Sequence, residues 1–538
     1  MKTKAILLII ILIGFILRVV NINNNPPSLY GDELTIILDA NSLLHTGKDQ
    51  LGNSFPLTFE MGAGRPAAYV YLSIPFVALF GPTALGVRIL SVLSGIGIVF
   101  LMYLLGKEIF SKRVGVIAAA VTTVSPWDIS LSRAGFEAHL ALLLALLGIY
   151  CFIKAKEKSF LYPLSALSFG LTLHTYPTYK LTLPVFIPLL VWYQWGRGFL
   201  NKDKKYFFAA VVIFLFLGIT TLSQTFIASS EIRFAEINIF SQQNLKESIE
   251  QRINYERTLT LLPQEFAKYF HNKGVEYMKV FIEDYLQNFS VDFLVLHGDR
   301  NPRHNMATMG QIYAVEIILI FIGFVSFWKS NRRTVIFLLG WIVLAPFATA
   351  LVDSPHALRS SLMLPPLLLF STLGLSIILD NRKKKILLIV AIGFAIQFIF
   401  FAQKLYFLAP NQFSSFWAYP GKLASEVAVI NKDRYDFVII ADRIDAVEFA
   451  YPLYTKEDPE VVISQNKYRT LLNNYDFKKF NNVYIGYIPD TLIKTFLSNL
   501  NGSVLYVGLP TDAKFLENYE ILQGPDKKDA ILMHYLQK

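Results

Sequence analysis

A succession of about eleven apolar runs, separated by short basic loops, leaves this chain few folds to choose from. The first run, AILLIIILIGFILRVV from Ala5 to Val20, crosses a bilayer core if counted from Thr3, since a span needs roughly 17 to 25 mostly apolar residues. It ends in Arg18 and the polar NINNNPP rather than in a small-residue cleavage site, so an uncleaved anchor is expected. Further runs fall at about Thr83–Leu105, Val114–Val124, Ala138–Ile153, Phe160–His174 and Leu181–Trp195. The series continues with Phe207–Phe226, Ile312–Trp328, Thr334–Leu351, Leu358–Leu379 and Ile386–Leu405. The chain is therefore expected to be mainly α, a polytopic transmembrane helical bundle.

Charge supports that reading and gives it an orientation. Lys2 and Lys4, then GKEIFSKR, KAKEKS, GRGFLNKDKK, KSNRR and DNRKKK, all fall on one side of the bundle if the N-terminus is cytoplasmic. The formal net charge of +10 is thus an orientation signal, and no nucleic-acid partner is expected. The lone cysteine, Cys151, lies in an apolar run and rules out an internal disulfide.

The opposite face carries the polar loops: YGDE, SPWDISLSRAGFEAH, HTYPTYK, the stretch 227–311, DSPHALRS and everything after about Tyr406. The first outer loop covers about 21–82. Within it, PAAYVYLSIPFVALFGP is short and proline-interrupted, which predicts a helix in the outer interface or re-entering the membrane. One or two surface helices are expected in 227–311. From 406 to 538 the pattern changes to that of a small extracytoplasmic α/β domain. YDFVIIAD, NNVYIGYI, SVLYVGL and AILMHYLQ read as strands and PDTLIKTFLSNL as a helix. Residues 1–405 form the membrane domain.

Chemistry-bearing residues collect on that outer face. Asp32 and Glu33 precede LTIILDANSLL, where acids also suit a helix N-terminus. Arg65 stands between glycines and a proline, and Arg359 beside His356 at the outer mouth of a run, where basic residues are not the rule. Arg133, Glu137 and His139 form a third cluster; His174, Tyr176, Tyr179 and Lys180 a fourth. HGDRNPRH holds His297, Asp299 and His304, which read as solvated loop residues. No cofactor is expected, and a divalent metal stays open. Cations at headgroup depth suit a lipid phosphate, a carboxylate suits deprotonation of a hydroxyl, and aromatics such as Tyr30, Trp127 and Trp417 suit a sugar.

YGDE, then GRPAAYVYLSIPFVALFGPTALGVRILS, SPWDISLSR and HALRSSLMLPPLLL stand in an order that resembles the polytopic glycosyltransferases of the GT-C fold. The resemblance is to the branch holding dolichyl-phosphate-mannose–protein mannosyltransferases and aminoarabinose transferases, over about the first four hundred residues. It implies a polyprenyl-phosphate-linked sugar donor at the outer leaflet and, in many members, metal-independent transfer. By it Asp32 is the base with Glu33 assisting, and Arg65, Arg359, His356 and Arg133 bind the donor phosphate. Tyr30, Glu60, Tyr69, His174, Tyr176 and Lys180 then contact donor or acceptor, a protein, lipid or glycan. Alternatives are a polytopic glycan polymerase or ligase, which would lack the early Asp-Glu loop, and a lipid-linked sugar transporter. The transporter would place charge deep in the spans.

Overall fold

The computed structural model describes residues 2–60, 64–195, 204–227, 238–352, 354–381 and 384–537. Each expected apolar run is a helix. The first five helices are α1 (Lys2–Val19), α2 (Gly31–Thr46), α3 (Ala68–Phe80), α4 (Ala84–Ile109) and α5 (Lys112–Thr123). Then come α6 (Pro126–Leu131), α7 (Glu137–Lys154), α8 (Leu161–Leu173), α9 (Tyr179–Gln194) and α10 (Lys204–Ile227). Three surface helices follow, α11 (Gln243–Leu259), α12 (Gln264–Phe270) and α13 (Lys273–Gln287), one more than the most expected. The bundle closes with α14 (Ala314–Ser330), α15 (Arg332–Leu344), α16 (Leu364–Asp380) and α17 (Lys384–Gln403).

Among the described residues six stretches are long and apolar enough to cross a membrane: Ala84–Ile109, Glu137–Lys154, Lys204–Gln224, Arg332–Leu351, Ser361–Asp380 and Lys384–Gln412. This is a multi-pass membrane protein. The Lys204–Gln224 and Lys384–Gln412 helices leave Phe208, Phe216, Ile219, Ile389 and Phe400 exposed, an apolar surface that lipid would cover. Where α14 meets α16, a Cβ on Gly323 would lie 2.2 Å from the Phe370 carbonyl oxygen, and one on Gly374 2.0 Å from that of Leu319. Only hydrogen fits there, the small-residue contact by which helices associate without a hydrophobic drive between them.

The end of the bundle that carries the 17–28 loop is built around buried guanidinium groups. Arg133 donates to the carbonyls of Leu17 (3.3 Å), Arg18 (3.1 Å), Val20 (2.8 Å) and Asn25 (2.8 Å). Arg88 donates to those of Ile22 (2.8 Å), Pro26 (3.0 Å) and Ser28 (2.6 Å). Arg18 pairs with Asp128 and bonds the carbonyls of Gly14, Thr122 and Thr123. Segment 17–28 leaves its helix without a sheet partner, so its carbonyls need donors, and Arg133 and Arg88 supply them.

A short antiparallel pair, β1 (Thr58–Phe59) and β2 (Arg65–Pro66), lies in the first loop. The tail contains α18 (Tyr419–Asn431) and a seven-stranded sheet whose strands lie in the order Thr470–Leu472, Tyr475–Phe480, Val483–Gly486, Phe437–Ala441, Val504–Gly508, Asp529–Leu536 and Tyr519–Gln523. Its central strands β3 (Phe437–Ala441), β6 (Val483–Gly486) and β7 (Val504–Gly508) are parallel; Ile439 faces Tyr484 on one side and Tyr506 on the other. Helices cover both faces, which explains the unbroken apolar runs in these strands. β9 (Asp529–Leu536) was expected too. The edge strands β4 (Thr470–Leu472) and β8 (Tyr519–Gln523), and β5 (Tyr475–Phe480) beside β4, were not: they mix polar residues with apolar ones and carry no long apolar run. Two tail helices, α19 (Val447–Tyr454) and α20 (Pro459–Lys467), pack on α2, with the Tyr454 hydroxyl 3.0 Å from Ser28 Oγ and Asn466 donating to the Gln50 carbonyl at 2.8 Å.

Candidate functional site

Asp32 and Glu33 share the first turn of α2, where the helix N-terminus favours negative charge, yet their surroundings are opposite. Glu33 is fully buried. Arg88 grips it through Nε at 2.7 Å and Nη2 at 2.9 Å, and the Gly135 N–H adds a third bond at 2.8 Å. It is closed off from solvent, so the expected assisting role becomes that of a bracket holding the loop. Asp32 is 44% exposed and meets Arg65 Nη2 at 2.9 Å.

Arg65 is the hub. Buried at 2% exposure, it spreads its fork over three partners: Nη2 to Asp32, Nη1 to the Thr35 hydroxyl at 2.7 Å, and Nε to Glu137 at 2.5 Å. Glu137 opens α7 as Asp32 opens α2, so two helix N-termini and one guanidinium stabilise two acids. Burial opposes the Arg65 charge, but Glu137 and then Asp32 outweigh it and hold its pKa above the ordinary value. Seven residues beyond Asp32, on the same helix face, Asp39 is buried and accepts from the Gln50 N–H at 3.1 Å. Burial pushes its carboxyl up to about 7.

Tyr30, also buried, forms the wall. Its ring meets Trp417 edge-on at 5.4 Å and Phe136 at 6.0 Å, and the Arg303 guanidinium lies 5.2 Å from its centre. Burial, then Asp32 and Glu137, push the Tyr30 phenol upward, so it remains a donor. Arg303 is tied to the Phe416 carbonyl and lies 3.9 Å from Asp445 in the tail. The chain after α17 therefore packs back on this site, Trp417 against Tyr30, and the Phe416 carbonyl and Asp445 against Arg303.

Other expected ligands sit differently. Arg133 is spent on its four carbonyls and stacks 4.9 Å from the Tyr406 ring centre, so it clamps the loop and is not placed to bind phosphate. The Tyr69 hydroxyl is buried against the Val87 carbonyl and Ser91. His174 faces Leu217, Thr220 and Thr221, joining α8 to α10. Tyr176 packs against the main core, Lys180 is half-buried and Glu60 is exposed in a turn. Asp299 and His304 are buried, not solvated; only His297, 75% exposed and bonded to Asp292, fits that expectation. His356 turns toward Asp299 and His304, with Arg359 near enough to bear on its charge. Sequence reasoning left Arg303 unassigned and used Glu137 only as part of a cluster. Its place at a helix start, like that of Asp32, was the available signal.

Residues 65–221 match the model of the dolichyl-phosphate-mannose-protein mannosyltransferase family. The whole architecture is similar to that of ArnT from Cupriavidus metallidurans, at 10% identity over 99% of this chain and 97% of that one. The TM-score is 0.58 for the apo state and 0.55 for the form bound to undecaprenyl phosphate. A further solved structure, the oligosaccharyltransferase AglB from Archaeoglobus fulgidus, is 14% identical over 84% of this chain, with a TM-score of 0.48. The chain spans 63% of the length of that protein. No curated protein matches the sequence. The fold is that of the GT-C glycosyltransferases, and the chain resembles the protein mannosyltransferase and aminoarabinose transferase branch.

Proposed function

We propose that this protein transfers a sugar from a polyprenyl-phosphate donor to an acceptor hydroxyl at the outer face of the membrane, with inversion at the anomeric carbon. The observation that carries this is the Asp32–Arg65–Glu137 bridge, in which one acid is exposed, beside buried Tyr30 and the Arg303 guanidinium that lies against its ring. The family match across 65–221 begins at Arg65 itself and supports the same chemistry.

Asp32 takes the proton of the acceptor hydroxyl while its oxygen bonds to the anomeric carbon. The bond from that carbon to the phosphate oxygen breaks, and its electrons leave with the polyprenyl phosphate. A carboxylate serves as base because the hydroxyl becomes acidic only as its bond to carbon forms. Two acids against one guanidinium leave negative charge in excess, so the leaving phosphate needs further cations. We assign that purpose to Arg303, which lies against the Tyr30 ring, and to Arg359. Arg65 orients Asp32, and reaches phosphate only by releasing one of its present partners. Basic loops place the N-terminus in the cytoplasm, which puts this site and the tail outside.

The test is to incubate purified protein with a panel of polyprenyl-phosphate sugars and a hydroxyl acceptor, following release of polyprenyl phosphate and the anomeric configuration of the product. An inverted glycoside supports the proposal. A retained configuration, or no donor consumed across the panel, contradicts it.

A further inference from the structure

The long outer loop and the loop ahead of α16 meet at a second group of side chains that the transfer chemistry does not use. Asp299 Oδ2 lies 3.0 Å from His304 Nδ1 and 3.9 Å from His356 Nδ1. One ligand atom from each of the three falls within 4.8 Å of the others. Four ligands placed tetrahedrally at the zinc distance of about 2.0–2.1 Å are roughly 3.3 Å apart, so these separations bracket a coordination sphere. The two imidazole rings lie 4.4 Å apart at 33°, which brings both to the same carboxylate. His356 Nδ1 is buried with no hydrogen-bond partner, and a buried polar atom left unpaired is costly.

The surroundings are arranged to present these ligands. Asp299 is fixed by the N–H groups of Ala357 (2.7 Å, to Oδ2) and Asn301 (2.8 Å, to Oδ1). Asn305 bonds the carbonyls of His297 and Met309 and so closes the loop. Gly298 takes a φ of +75°, and a Cβ there would lie 2.3 Å from the Met309 carbonyl oxygen. Such supporting bonds orient metal ligands and are part of a site's design.

We propose that Asp299, His304 and His356 bind one divalent transition ion of the zinc type. The donor set, two nitrogens and one carboxylate oxygen, suits such ions better than the all-oxygen spheres of magnesium or calcium. The ion clips the long outer loop to the loop before α16. Arg303, next to His304, is thereby held over Tyr30, and Arg359, three residues past His356, belongs to the other loop that the ion fixes. One carboxylate under a dication also leaves net positive charge there, and the Phe136 ring contacts both His304 and Tyr30.

The test uses the full, untagged chain in detergent, stripped with a chelator and titrated with Co²⁺, without donor, so that it stands apart from the transfer reaction. One Co²⁺ per chain, visible absorption bands of low-symmetry coordination, displacement by Zn²⁺ and a raised thermal midpoint are expected. His304→Gln and His356→Gln each lower Co²⁺ affinity by roughly a hundredfold or more. His297→Ala, at the exposed neighbour, leaves it unchanged. A wild-type chain that binds no Co²⁺ overturns the proposal and leaves a hydrogen-bonded knot. Stoichiometric binding that survives both glutamine substitutions also overturns it.

Discussion

Among the described residues two arginines are each set between two acids, and they are not equivalent. At the outer rim Arg65 is 2% exposed, between Asp32 (44%) and Glu137 (14%). In the tail Arg443 is 23% exposed, paired with Asp490 and lying 3.0 Å from buried Asp512. Asp512 is also held by the Tyr506 hydroxyl at 2.8 Å and the Leu509 N–H at 3.0 Å, so it seals the end of the sheet. The tail triad opens to water, where ion pairs are screened and worth little. The rim triad has a desolvated cation, an accessible acid, and an aromatic wall beside it. The pattern acid–arginine–acid is therefore not a site; burial of the hub and exposure of one arm make it one.

Substitution at the two hubs sharpens that contrast. Arg65→Ala leaves Asp32 and Glu137 facing each other without a counter-charge, and turnover is expected to fall roughly a hundredfold or more. Arg443→Ala is expected to lower the stability of the tail by about 1 kcal/mol and to leave turnover within about twofold. Equal losses of turnover at both positions would erase the distinction.

A similar contrast separates Glu33 from Asp32. Glu33→Gln strips Arg88 of its anion at a fully buried place, where breaking a pair costs about 3 to 5 kcal/mol. Its expected signature is a lower thermal midpoint and poor yield, with turnover per folded molecule largely kept. A stable but inactive Glu33→Gln would return that residue to the chemistry.

Asp39 gives a smaller effect that depends on pH. Its folded pKa, about 7, lies above the ordinary carboxylate value, so it stabilises the fold at low pH and that contribution is lost as pH rises through 7. Stability is expected to fall by about 1.4 kcal/mol per pH unit between pH 5 and 7 and then level off. Asp39→Asn should flatten this slope; an unchanged slope would assign it to another group.

Much of this architecture was legible in the sequence because it rests on periodic patterns. Apolar runs marked the helices, GDE before an apolar stretch marked the start of α2, and four unbroken apolar runs marked the buried strands. The hairpin of β4 and β5 was legible in principle: Asn473 and Asn474, both at positive φ, form its turn, and an asparagine pair suits that backbone. The arginines were not. Arg88 and Arg133 look like any cation beside a membrane, and only the folded chain shows one serving Glu33 and both serving loop carbonyls. The acid opposite Asp32 was hidden for the same reason, since 105 positions separate Asp32 from Glu137 and Arg65 alone joins them.

The most direct test of the account is turnover of Asp32→Asn with saturating polyprenyl-phosphate sugar and a working acceptor, measured beside its thermal midpoint. Asparagine keeps the shape and removes the basic oxygen and the charge; because the N-cap of α2 is Tyr30 and Asp32 makes no capping bond, the helix start loses only a dipole contact worth about 0.3 to 1 kcal/mol. The account predicts a midpoint near wild type, donor still bound, and turnover lower by about a hundred- to ten-thousand-fold. Near-normal turnover in Asp32→Asn would contradict it, and loss of turnover in Glu137→Gln alone would move the base to the other arm of Arg65.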